Sequence, residues 1–311
     1  MGWRTPRSTW WWIGRKCAWL PSWRQSHTPL GRCAGSSLRK WIWKTCTVRL
    51  RTEFYKIWAF AARSLLLNLR NVFAVFEMFF WPGVAIFSVG LLTRFLKLDP
   101  DTVSFILIGA VSMNTVQIGQ LDISYSLLYD VWSKSLKHPF IAPVHLSHLI
   151  LGAGLVGLLR GLIVFGVMGL LSMWLFDMDL SRPGFWGLLF FLSGLFLNAL
   201  IIGMVVLTLV LRFGHRAEVA AWAFSYLILL LCGLYYPVTI LPTGAQELAL
   251  VIPLTYFLDY FRHFYGFPCL SPHPLLYGFS QCALYLAASY AMVNFALKGA
   301  LKRGALLKLS E

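Results

Sequence analysis

Residues 185–211 read FWGLLFFLSGLFLNALIIGMVVLTLVL, without one Asp, Glu, Lys or Arg. A helix needs about 20 such residues to cross a hydrocarbon core of roughly 30 Å, because inside it every backbone N–H and C=O must be paired within the segment. Working outward, comparable runs occupy about Asn71 to Leu92, Thr102 to Ile123, Leu146 to Phe176, a stretch beginning near Val219, and Leu275 to about Leu297. The chain as a whole agrees: of 311 residues 58% are hydrophobic and 13% charged, with a mean hydropathy of +0.68, whereas a soluble domain carries roughly a quarter charged residues. The expected fold is therefore all-α, a polytopic membrane protein with six transmembrane helices.

The formal charge of +15 does not indicate nucleic acid, because the basic residues sit at the termini and between apolar runs instead of on one globular face. Lys and Arg of short loops stay on the cytoplasmic side. The N-terminal segment, the second loop (Lys134, Lys137), the fourth (Arg212, Arg216) and the tail (Lys298, Lys302, Arg303, Lys308) are basic and fall on one side of an even-pass topology. Both termini are thus expected to be cytoplasmic. The first loop dissents with Arg94 and Lys97, accompanied by Asp99 and Asp101.

Residues 51–70 interleave Phe54, Ile57, Trp58, Phe60, Leu65, Leu66 and Leu69 with Arg51, Glu53, Lys56, Arg63 and Arg70. This pattern fits an amphipathic helix lying in the membrane interface, the alternative being an extension of the first span. Residues 1–50 are rich in Trp, Arg, Ser and Cys without helical or strand period, and read as a disordered or mis-assigned N-terminal extension. The six-helix domain then covers 71–301, and 302–311 form a basic cytoplasmic tail.

No phosphate-binding loop, HExxH helix or GxSxG elbow is present, and the six Cys form no CxxC pair. The reading is of a chain that binds no cofactor or metal and does not hydrolyse ATP unaided. His138, His145 and His148 lack acidic or Cys companions for a metal site. Between the second and third spans, Leu128, Val131, Trp132 and Leu136 recur at helical spacing, with Leu127 beside them and Asp130, Lys134 and Lys137 between, before Pro139, which predicts a short amphipathic helix. It either lies on the membrane or docks into a groove of a cytosolic subunit. Within the spans, Glu77, Asp122 and Arg160 each cost about 2.5–3.5 kcal/mol at a helix centre. For Arg160 two readings stand side by side: a lining of a pathway or dimer interface, and a structural pair with local hydration.

An ordered set of fragments carries a resemblance: Trp81-Pro82; Tyr129-Asp130-Val131-Trp132 followed by Ile141-Ala142-Pro143; Leu211 to Glu218; and Tyr235-Tyr236-Pro237-Val238 with Leu241-Pro242. Together they resemble the permease of ABC type-2 exporters over about Arg51 to Leu301. The resemblance implies a six-helix permease that dimerises, as a homodimer or a paired permease, in a bacterial cytoplasmic (inner) membrane. A separate cytosolic ATPase subunit would bind ATP-Mg and power export of a drug, lipid-linked or glycan substrate. It further implies that Tyr125 to Lys137 is the coupling helix, with Leu127, Leu128, Asp130, Trp132 and Lys134 facing the ATPase. Arg212, His215, Arg216 and Glu218 would form a second cytoplasmic contact, and Glu77, Trp81 and Arg160 a pathway or dimer interface. Short re-entrant helices would follow the fifth span, where Pro237, Pro242, Gly244 and Pro253 punctuate an apolar stretch. Many relatives carry an Arg after the coupling-loop Trp; this chain has Lys134 near that place, which bears on the ATPase it fits. The reading from another class is an integral-membrane enzyme acting on a lipid-linked substrate, which would need carboxylates or His converging at one face.

Overall fold

The computed structural model describes residues 53–133 and 145–302. The expected N-terminal extension, Lys134, Lys137 and the rest of the connection up to residue 144, and the tail beyond residue 302 lie outside the described residues. Among the described residues every regular element is helical. The order is α1 (53–70), α2 (Val72–Phe95), α3 (Pro100–Trp132), α4 (Leu146–Phe176), α5 (Gly184–Phe213), a 3-10 turn (Gly214–Ala217), α6 (Glu218–Leu231), a second 3-10 turn (Val238–Ile240), α7 (Thr243–Val251), α8 (Pro253–His263) and α9 (Pro274–Lys302).

Local chemistry sets these boundaries. Asn71 leaves helical geometry, ends α1, and caps α2 by accepting from the Ala74 amide at 3.4 Å. Asp99 caps α3 by accepting from the Thr102 amide at 3.1 Å, with Pro100 at the first helical position, where its missing N–H costs nothing. Glycine with positive φ follows α5 at Gly214 and α6 at Gly233, while Asp177 takes the left-handed conformation after α4.

Helices α2, α3, α4, α5 and α9 are long and apolar enough to cross a membrane. α6 has 14 residues, about 21 Å at roughly 1.5 Å per residue, short of the hydrocarbon thickness. The region expected to hold a fifth full span thus contains this shorter helix and then an irregular hairpin. The second expected span also differs: instead of ending near Ile123, α3 continues to Trp132. No Gly or Pro lies between Asp122 and Trp132. Asp122 is paired inside the bundle, so nothing breaks the helix there.

α3 is the hub. It packs between α4 and α5; α2 flanks α3 and α4, and α9 lies on α5 and α8. Its apolar face (Leu107, Ile108, Val111, Val116, Ile123, Leu127, Leu128) is buried in the common core. α2 and α9, by contrast, keep most of their apolar surface outward, as helices facing lipid or another protein do.

The hairpin after α6 has free carbonyls that regular helix cannot satisfy, and neighbouring side chains supply the donors. Gln246 donates to Thr239 and Leu241, Thr255 to Ala249, Tyr256 and Gln281 to Leu250, and Tyr285 to Val251, all within 3.0 Å. Irregular backbone at membrane depth survives only with such pairing.

Candidate functional site

The end of the bundle that carries Trp132 and His145 is organised by α1. At Gly152 a Cβ would stand 2.6 Å from the Phe60 Cβ and 2.8 Å from the Ile57 carbonyl, so only glycine lets α1 approach α4 this closely. Three polar links then fix α1. Arg63 grips Asp130 of α3 with both guanidinium nitrogens, one at 3.1 Å. Glu53 accepts from His148 Nε2 of α4 at 2.5 Å, while His148 Nδ1 accepts the His145 amide at 2.9 Å, so both ring nitrogens are in use. Asn68 donates to Asp122 at 3.2 Å.

Asp122 is also the partner of Arg160, whose second nitrogen points to the Ala74 carbonyl of α2 at 3.5 Å. A charge in an apolar bundle is tolerated when it faces protein and finds a partner. Of the two readings of Arg160, the geometry displays the paired one. Glu77 and Trp81 do not join it. Both lie one turn apart on the outward face of α2, with Trp81 58% exposed and Phe80 edge-on against it.

The expected docking face needs correction. Leu127 and Leu128 are fully buried and Asp130 is 1% exposed, because α3 is continuous and this turn packs into the bundle and onto Arg63. Trp132 is the member turned outward, 42% exposed, at the end of an aromatic row with Tyr125 and Tyr129. Tyr125 accepts from Trp222 of α6 at 3.2 Å. Lys134 lies outside the described residues. In the second expected contact, Arg212 and Arg216 are exposed, and the 3-10 turn Gly214–Ala217 packs against α3. His215 falls in that turn and Glu218 opens α6; their side chains are outside the described set. Arg212 lines a crevice of about 380 Å³ between the ends of α5 and α9, with Phe213, Phe295 and Gly299.

The opposite end uses its charges differently. Arg94 donates to the Leu175 carbonyl at the end of α4 and sits over the Phe176 ring. Arg182 pairs with Asp101 at 2.7 Å, and hydrogen bonds from Ser181 hold Asp179 below its usual carboxylate range, with Arg182 helping. Cys269 is an exposed thiol in the α8–α9 loop.

The sequence had marked Arg63 only as a headgroup-reaching cation and passed over Asn68 and Arg262.

The described residues form an all-helical bundle with five membrane-length helices, a shorter sixth and a carbonyl-capped hairpin, the build of a multi-pass membrane protein. The comparison with known families agrees: the chain belongs to the ABC-2 type transporter family, whose model matches residues 55–265. An uncharacterised protein of Archaeoglobus fulgidus is 44% identical over 61 residues, covering 20% of this chain and 95% of that protein.

Proposed function

We propose that the chain is the permease of an ATP-driven exporter whose energy comes from a separate cytosolic ATPase subunit, which binds and hydrolyses ATP-Mg. The observation that carries this reading is the way α1 straps both ends of the α3–α4 connection: Arg63 holds the last turn of α3 through Asp130, and Glu53 holds the first turn of α4 through His148. A push on the last turn of α3 or the first turn of α4 is therefore shared among α1, α3 and α4. The ATPase contact then centres on Trp132 and the residues that follow it, with Arg212 and Arg216 beside them, while Leu127, Leu128 and Asp130 support it from inside. The outward aromatic face of α2, with Glu77 and Trp81, suits a second permease copy, the exit path running between the two. The family supports placing the chain in a bacterial cytoplasmic membrane, and the basic loops favour both termini inside. Drug, lipid-linked and glycan cargo all remain within this architecture.

The test is co-purification with the ATPase. Trp132→Ala should abolish association while leaving the permease monodisperse, and Leu128→Ala should instead lower its thermal stability. Unchanged association in Trp132→Ala would remove the coupling assignment.

A further inference from the structure

At the other end of the molecule, Arg262 of α8 is 5% exposed and, among the described residues, forms no ion pair within salt-bridge distance. Its guanidinium donates to the carbonyls of Gly233 and Leu234 at 2.8 and 2.5 Å and lies 3.6 Å from the centroid of the Phe105 ring of α3. Those carbonyls belong to the turn by which the chain leaves α6, where Gly233 has φ +66. The turn is pressed onto α3: a Cβ at Gly109 would fall 1.9 Å from the Leu234 oxygen. One cation therefore ties three elements, α3, the end of α6 and α8.

We propose that Arg262 is a positioning residue, the latch of the outer gate: it holds the exit turn of α6 closed on α3, and opening exchanges its two carbonyl partners for water. This rests on the permease reading above. The physical reason is the kind of partner. A buried ion pair is expensive to break because a charge is left behind, whereas a guanidinium on neutral carbonyls and a ring loses little when water enters, since water replaces both bonds. Arg262 Nε, buried and without a partner, gains one on hydration. The latch is thus stable in a dry turn and yields in a wet one, which is what a two-state gate requires.

Hydrogen exchange of the full-length chain in lipid nanodiscs tests it. Arg262→Gln should speed exchange across residues 234–241 by about ten-fold, with α4 unchanged. Arg262→Lys, which reaches one carbonyl, should restore part of the protection. In the complex with the ATPase, wild-type exchange at 234–241 should differ between nucleotide-free and ATP-trapped states, and Arg262→Gln should erase the difference. Unchanged exchange there in Arg262→Gln, or loosening spread equally over α5 and α9, overturns the latch. If Arg262→Gln does not fold, Phe105→Leu should give the same local acceleration, and its absence overturns the latch equally. Failure of the wild-type chain to bind any ATPase would instead overturn the permease reading and leave the nanodisc result standing.

Discussion

Arg160→Met strands Asp122. The carboxylate would keep the Asn68 amide at 3.2 Å and lose the guanidinium, while its Oδ2 already has no partner. Removing one partner of a buried pair costs about 3–5 kcal/mol, and Asp122 is buried at the crossing of α3 and α4, with its Cβ only 3.3 Å from where a Cβ on Gly157 would stand. The upper part of that range therefore applies. Asp122→Asn alone leaves a guanidinium that is 15% exposed and can lengthen its reach to the Ala74 carbonyl, so about 1–2 kcal/mol is expected. The double variant has no charge to strand and should lie within about 1 kcal/mol of wild type, giving an interaction energy of about 4 kcal/mol or more in the cycle. Reversible unfolding in mixed micelles measures all four proteins. Additive losses, or an Arg160→Met protein as stable as wild type, would refute the pairing as the reason these charges persist. A double variant that is stable yet does not export would assign the pair to transport.

Three further outcomes follow from the geometry. Of the three described cysteines, a membrane-impermeant maleimide applied to intact cells should label Cys269, since Cys232 and Cys282 are buried; burial and the charge of Asp259 push the Cys269 thiol up, so labelling should quicken above neutral pH, and labelling of Cys269 that appears only after permeabilisation would reverse the topology. Thr102 hydrogen bonds, backbone first, hold the Asp99 carboxyl below its usual value; the cap of α3 therefore contributes fully above the ordinary Asp range and is lost as pH falls through the lowered value, so Asp99→Asn should flatten the acid limb of a thermal-stability profile, and an unaltered limb would contradict it. Gln117 is buried with neither amide atom partnered, and Gln117→Leu should leave stability unchanged or raise it by about 1 kcal/mol; a clear loss would mean that the amide is satisfied in the membrane.

The spans were legible because lipid imposes a requirement that one residue window can display: length without charge. α4 and α5 were read to within two residues at each end. The far end of α3 was not legible in that window, because a charge inside a span is tolerated when it finds a partner, and the partner of Asp122, Arg160, lies 38 positions away. The burial of Leu127, Leu128 and Asp130 was hidden for a related reason. Helical spacing of Leu127, Leu128 and Trp132 shows that a face exists, but not whether the bundle already covers it. Arg94 and Lys97 looked like a topological dissent; Arg94 is in fact spent on the α4 terminus, a contact between residues 81 positions apart that no local pattern announces.

The distribution of polar bonds on α3 has a mechanical consequence. Ser104, Ser112, Asn114, Thr115 and Ser124 each donate to the carbonyl four residues back on the same helix, so these bonds survive any displacement of α3 past a neighbour. Asp122 and Asp130 are different, because their bonds are to Arg160 of α4 and to Asn68 and Arg63 of α1. Moving α3 away from α1 or α4 strands a carboxylate; moving the three together along α5 strands neither of them. On the far side, α5, α8 and α9 meet through rings, Phe191 stacked on Phe261 and Phe257 edge-on to Phe279, contacts that bind by area and tolerate small shifts. Displacement of α1, α3 and α4 as one unit therefore keeps both carboxylates paired, and Trp132 stands at the end of that unit.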